Sequence, residues 1–199
     1  MTHEIESQPV TLRGETRRGG VCNVHLVRCA PVRLELLRLV RPVGDLESDE
    51  HGKNILCDAC QDVSIRRCYC GGGSPRSGDG INLYRCEDVA ISECTIRGMR
   101  RHDDIDTAAG IVVDEGTWLV SVYKCLIEVP PPLAAIVIVG RDVEIADCRA
   151  TGAVQIGLDN TSCDVGTVRL SRWRGPKPYI APGTIGQVWL DGERIYCQP

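Results

Sequence analysis

A short phrase returns along this chain and limits what it can fold into. It reads Val63-x-Ile65-x-x-Cys68, then Val89-x-Ile91-x-x-Cys94, then Val143-x-Ile145-x-x-Cys148. Ahead of each copy stands a second alternating pair, Ile55-x-Cys57, Ile81-x-Leu83 and Ile136-x-Ile138. Alternation of period two marks strands, and no ten-residue amphipathic stretch supplies a crossover helix. The equivalent positions Cys68, Cys94, Cys125, Cys148 and Trp173 follow one another at steps of 26, 31, 23 and 25 residues. Such uneven spacing fits a fixed coil carrying variable loops better than a helical solenoid. If each copy is one coil, residues about 25 positions apart become neighbours roughly 4.8 Å apart in space. Like residues then stack, with Cys29, Cys60 and Cys86 in one ladder and Cys68, Cys94, Cys125 and Cys148 in another.

With its Gly-Ile-x-Leu strand at Gly80–Leu83 and the recurring phrase after it, the chain resembles the right-handed parallel β-helices of the pectin-lyase-like superfamily over about residues 20 to 175. The resemblance implies an all-β fold, a single-stranded right-handed parallel β-helix of about six to seven coils. One domain is expected, with residues 1–20 as a terminal strand or cap, 21–175 as coils, and 176–199 as a lid loop and second cap. The run Arg33 to Val40 fits either a helix or a strand by its leucines, and register with later coils favours strand. Polysaccharide lyases, glycoside hydrolases, epimerases, phage tailspikes and inert scaffolds share this architecture, so fold alone does not name an activity.

Composition narrows the field. Phenylalanine is absent and aromatics make up 4% of the 199 residues, so the interior has to be aliphatic and thiol-filled. A formal net charge of −4 argues against a general nucleic-acid surface. No apolar run reaches the length of a membrane span, and the polar first twenty residues do not read as a leader; a cytoplasmic location is expected. Most of the twelve cysteines fall on repeating interior positions, where a reduced thiol acts as a small hydrophobe. Disulfides, or zinc at Cys57-x-x-Cys60 with Cys68-x-Cys70, are the alternatives.

Three polar loops, Gly44–Lys53, Cys70–Gly80 and Gly98–Ala109, each enter the strand that begins a coil, so stacking should bring them out along one edge. His51, Arg76, Asp79, Arg100, Arg101, His102, Asp103, Asp104 and Asp106 would converge there. Carboxylates held close on a rigid edge push each other's proton affinities apart, which yields one acid and one base from a single residue type. His102 suits proton transfer near neutral pH, and Arg76, Arg100, Arg101, Asp106 and His51 suit substrate contacts. Ser77-Gly78-Asp79-Gly80-Ile81 resembles the Asn-Thr-Asp-Gly-Ile phrase of polygalacturonase-type glycoside hydrolases, and Asp103-Asp104 resembles their aspartate pair. That resemblance implies Asp79, Asp103 and Asp104 as catalytic carboxylates. The family's Gly-His-Gly turn and Arg-x-Lys have no counterpart in the following coils.

No cofactor is required by this chemistry, although clustered carboxylates suit Ca²⁺ as in lyases of the fold. Trp118, Trp173 and Trp189 fall at turns or coil ends, where an indole could stack on a sugar ring or plug the core. The expected partner is a carbohydrate or polyhydroxylated small molecule, with neither nucleic acid nor membrane and with a homo-oligomer as an option. Three readings stand side by side: an acid/base hydrolase, lyase, isomerase or cyclase; a glycan-binding or tailspike-like module; and a structural coil.

Overall fold

Strand propensity and alternation decide the architecture. The computed structural model describes residues 4–18, 22–42, 52–72, 78–99, 108–159 and 161–198. Its described residues are strands, turns and bends, with no helix among them. Three sheets take the strands in rotation. An eight-stranded first sheet includes Cys22–Val27, Lys53–Asp58, Ile81–Tyr84, Ala109–Val113 and Ala134–Ile138. The nine-stranded second sheet includes Val32–Glu35, Gln61–Arg66, Glu87–Ser92, Trp118–Tyr123 and Arg141–Ala146. The six-stranded third sheet includes Arg38–Val40, Tyr69–Gly71, Thr95–Arg97 and Leu126–Glu128.

Through Cys163–Ser171 every third strand in chain order therefore lies beside its predecessor, and all these pairings are parallel. The arrangement is all-β with long stacked parallel sheets, compatible with a parallel β-helix. Among the described strands, Glu193–Gln198 alone turns back, and it pairs antiparallel with Thr184–Leu190. Arg33–Val40 resolves as two short strands with a turn at Leu36 between them, so register prevails over helical spacing.

Register brings the repeated residues together as expected. Ile81 lies beside Ile55 and Ile111, Val89 beside Val63 and Val120, and Ile96 beside Cys70 and Ile127. Their inward side chains from all three sheets merge into one core. All twelve cysteines are free thiols, and eleven are buried. Burial raises the Cys70 thiol well above its ordinary pKa, which keeps it protonated and apolar in character.

The thiols also have a polar task. Cys60 Sγ donates to Leu26 O at 3.5 Å and Cys86 Sγ to Cys57 O at 3.3 Å, each reaching the preceding rung. Cys68, Cys94, Cys125 and Cys148 reach Leu34, Ile65, Ile91 and Val122 carbonyls at 3.6 to 3.9 Å. At each corner the thiol adds a weak donor to a carbonyl of the preceding rung, which a valine in its place could not.

Three kinds of corner join the sheets. Between the second and third sheets a three-residue turn recurs, with its first residue in the left-handed region at Leu36, Arg67, Glu93, Lys124, Asp147 and Arg172 (φ 49–57°). Gly14 holds the same place one rung earlier, with φ 70°. A non-glycine side chain pays roughly 1–2 kcal/mol there. The N–H of each such residue donates across to the next rung, as Arg67 does to Ser92 O and Glu93 to Tyr123 O, and this overdetermines the conformation.

Candidate functional site

Burial separates the faces of the molecule. Second-sheet strands alternate buried and exposed, as a half-solvated sheet should. In the first sheet Ala109–Val113 is buried at every position, so its outward residues are covered as well as its inward ones. Val112 and Val137, on the outward face by alternation, are each 6% exposed. They floor a groove of about 340 Å³ whose walls include Lys53, Asp58, Asn82, Tyr84 and Asp114.

Asp79 stands at this groove and is 1% exposed. Its Oδ1 accepts the Ala109 N–H at 3.0 Å and its Oδ2 accepts Asn82 Nδ2 at 3.1 Å. One carboxylate thus ties the strand after the second loop to the strand after the third. Adjoining backbone bonds complete the seam: Gly78 N–H to Gly52 O at 2.9 Å, Asn54 N–H to Asp79 O and Gly80 N–H to Ala109 O at 3.1 Å each. The roots of the three polar loops consequently stack along one edge. His51, Arg76, Arg100, Arg101, His102, Asp103, Asp104 and Asp106 lie outside the described residues.

Further along the groove Asp58 is half-buried and accepts Arg85 Nη2 at 2.8 Å, while the Arg85 guanidinium sits 4.4 Å over the Tyr84 ring. Asp114 Oδ1 accepts the Glu115 N–H at 2.8 Å. Tyr179, in register beside Gln155 on this face, donates to Asp159 at 2.6 Å, and that bond raises the phenol above its usual pKa.

A larger cavity, about 580 Å³, opens where the first sheet turns into the second. It shares Val139 with the groove, so the two are neighbours. Its position is where the first thiol ladder stops. After Cys29, Cys60 and Cys86 the register continues through Thr117 and Gly140. Thr117 Oγ1 donates to Leu83 O at 3.1 Å, taking over the thiol's role. At the next rung the corner is two residues shorter than the one before it, and the Val139 and Gly140 N–H groups themselves reach Val113 O at 2.8 and 3.0 Å. The corner gains a residue at Glu115–Gly116 and then shortens at Val139–Gly140, and the cavity lies where its length changes.

Trp118 stands at this hollow with 42% of its surface exposed. Arg141, Asp142, Asp164 and Ser162 line it too, and Arg141 Nη1 lies 3.5 Å from Asp164 Oδ2. Of these, sequence reading singled out only Trp118; the carboxylates carry no motif, and their signal was the change of corner length around them. Asp142 Oδ1 also accepts the Thr167 N–H at 3.1 Å, beside the irregularity between Asp164 and Thr167 that shifts this part of the wall.

Among the described residues no group of three or more His, Cys, Asp or Glu stands close enough together to hold a metal ion. No helix of the described residues is long and apolar enough to cross a membrane. No family model, curated protein or solved structure matches the chain.

Proposed function

We propose that this chain is a carbohydrate-directed β-helix, right-handed and of about six to seven coils, akin to the pectin-lyase-like solenoids, which binds a glycan along the groove and corner cavity. The observation that carries this reading is Trp118, an indole left 42% exposed beside a cavity of about 580 Å³ among Arg141, Asp142 and Asp164. The C–H faces of a pyranose pack on an aromatic plane, and planar charged side chains around it offer fixed partners to hydroxyl groups. Apolar Val112 and Val137, with Asn82 and Tyr84 beside them, extend the same mixture of surface down the groove.

Saturation-transfer NMR and indole fluorescence against a panel of neutral and acidic oligosaccharides test it. Binding should quench Trp118, and Trp118→Ala should lower affinity by about tenfold while leaving the melting temperature in place, because an exposed ring contributes little to stability. A panel in which no sugar perturbs Trp118 would remove the proposal.

Acid/base turnover of the glycan is the second reading, favoured by the stacked roots of the three polar loops. Asp103, Asp104 and His102 would carry it, with Asp79 holding the loop roots in place. Turnover that persists in both Asp103→Asn and Asp104→Asn would remove these carboxylates from the chemistry, and a parent that turns over no glycan would leave binding alone.

A further inference from the structure

Surface arginines in this protein are generally answered by a carboxylate. Arg17 pairs with Glu15, Arg33 with Asp62, Arg67 with Glu93 and Arg172 with Asp147, all at 2.9 Å or less. Arg149, Arg169, Arg174 and Arg194 are exposed without such a pair among the described residues, and the outer face of the third sheet gathers three more in one place. Arg18, Arg38 and Arg41 are exposed there together, and among the described residues no carboxylate lies within ion-pair distance of any of them.

Register explains how they meet. Arg18 lies beside Val40, and Arg38 and Arg41 flank Val40 on its own strand and turn. The three Cα positions fall within two adjacent strands, roughly 8 Å across. They border a cavity of about 410 Å³ that Val40, Gly71, Gly72 and Gly98 also line. Tyr69 closes one wall with the Arg38 guanidinium 5.0 Å over its ring, which fixes that fork in place. Arg97 stands at the far end and is already held by Glu128 at 2.7 and 3.1 Å, so the unanswered charge is concentrated on the other three.

We propose that this notch is an oxyanion site for a compact ligand bearing one or two phosphate or sulfate groups. Guanidinium forks match tetrahedral oxyanions with paired, charge-assisted hydrogen bonds. Three of them around a cavity of about 410 Å³ leave room for such a group. A long polyanion is disfavoured because the chain as a whole carries a net charge of −4. The site lies on a different sheet from the glycan surface and does not depend on it.

The test is isothermal titration of the full chain at low and at physiological salt, with inorganic pyrophosphate as the phosphate probe and a sulfated disaccharide as the sulfate probe. Saturable binding of either one, weakened by salt, is the expected result, and the tighter of the two identifies the source of the oxyanion. Arg18→Gln and Arg38→Gln should each weaken it by about tenfold. Arg38→Lys should weaken it too, since a lysine keeps the charge but loses the fork. Arg169→Gln on the second sheet should change nothing. Failure of both probes to saturate, or glutamine variants that bind as the parent does, would overturn the assignment. So would affinity for a single-stranded oligonucleotide that climbs with each added phosphate, because that describes a nucleic-acid track.

Discussion

Two regions of the molecule solve the same bending problem differently. The corner between the second and third sheets repeats one solution from rung to rung: a left-handed residue followed by an inward thiol, Cys68, Cys94, Cys125 and Cys148, ending on Trp173. Around the first sheet the solution keeps changing. Its outgoing corner passes from Cys86 to Thr117 to Gly140, and its incoming edge is built on loop roots sewn together by Asp79. Repetition accompanies a sheet face that alternates and sheds water normally. Variation accompanies concavity, a covered outer face and an exposed indole. In a stacked fold, a site is made by interrupting the stack.

The sharpest way to break that contrast is to restore a side chain where the first ladder loses it. A Cβ at Gly140 would fall 2.4 Å from Thr117 O and 3.0 Å from Asp114 O, both backbone atoms that cannot step aside. Gly140→Ala should cost about 3 kcal/mol in urea denaturation and reshape the cavity. A loss below ~1 kcal/mol would mean that this corner is as forgiving as the other.

Asp79→Asn comes next. An amide cannot accept both the Ala109 N–H and Asn82 Nδ2, so one buried donor loses its partner at about 2 kcal/mol. Were Asp79 a catalytic group alone, the variant would lose turnover and keep its full stability. The two outcomes separate a seam from a reagent.

At the regular corner the expected change is favourable. Leu36→Gly places at φ 57° the residue type that Gly14 already supplies one rung earlier, and it removes an exposed leucine. Thermal unfolding should show a gain of about 1 kcal/mol, and a loss would mean that Leu36 packs on something that glycine cannot replace.

The smallest effect belongs to the ion pairs decorating that corner. Arg172 beside Asp147 holds the carboxyl below its ordinary value of 3.8. A depressed folded-state pKa contributes stability that is fully present above pH ~4 and lost as pH falls through the folded value. Arg172 is exposed and Asp147 only half-buried, so the melting temperature of Asp147→Asn should track the parent closely above pH 4, with a slightly smaller acid-side decline and little salt dependence.

How much of this could be read in advance follows from the same contrast. The phrase ending in Cys68, Cys94 and Cys148 disclosed the stacking, because repetition leaves identical residues at identical places. The turns themselves were hidden: Leu36, Arg67 and Lys124 occupy a conformation usually marked by glycine or asparagine, and only cross-rung hydrogen bonds, invisible along the chain, permit it. Trp118 was noticeable as a rare aromatic. Asp142 and Asp164 were not, since nothing local distinguishes an aspartate lining a hollow from one in a solvated turn. Asp79 attracted attention through its flanking glycines, and the structure shows both carboxylate oxygens engaged in holding strands together.

One detail at the end of the chain has a consequence for assembly. Parallel strands offer the same polarity to whatever comes next, so an uncapped stack invites copy upon copy into a fibre. Glu193–Gln198 lies across the last rung of the second sheet in the opposite sense. A strand arriving beside it would meet a reversed neighbour, so the parallel pairing of the earlier rungs does not carry on past this edge of the second sheet.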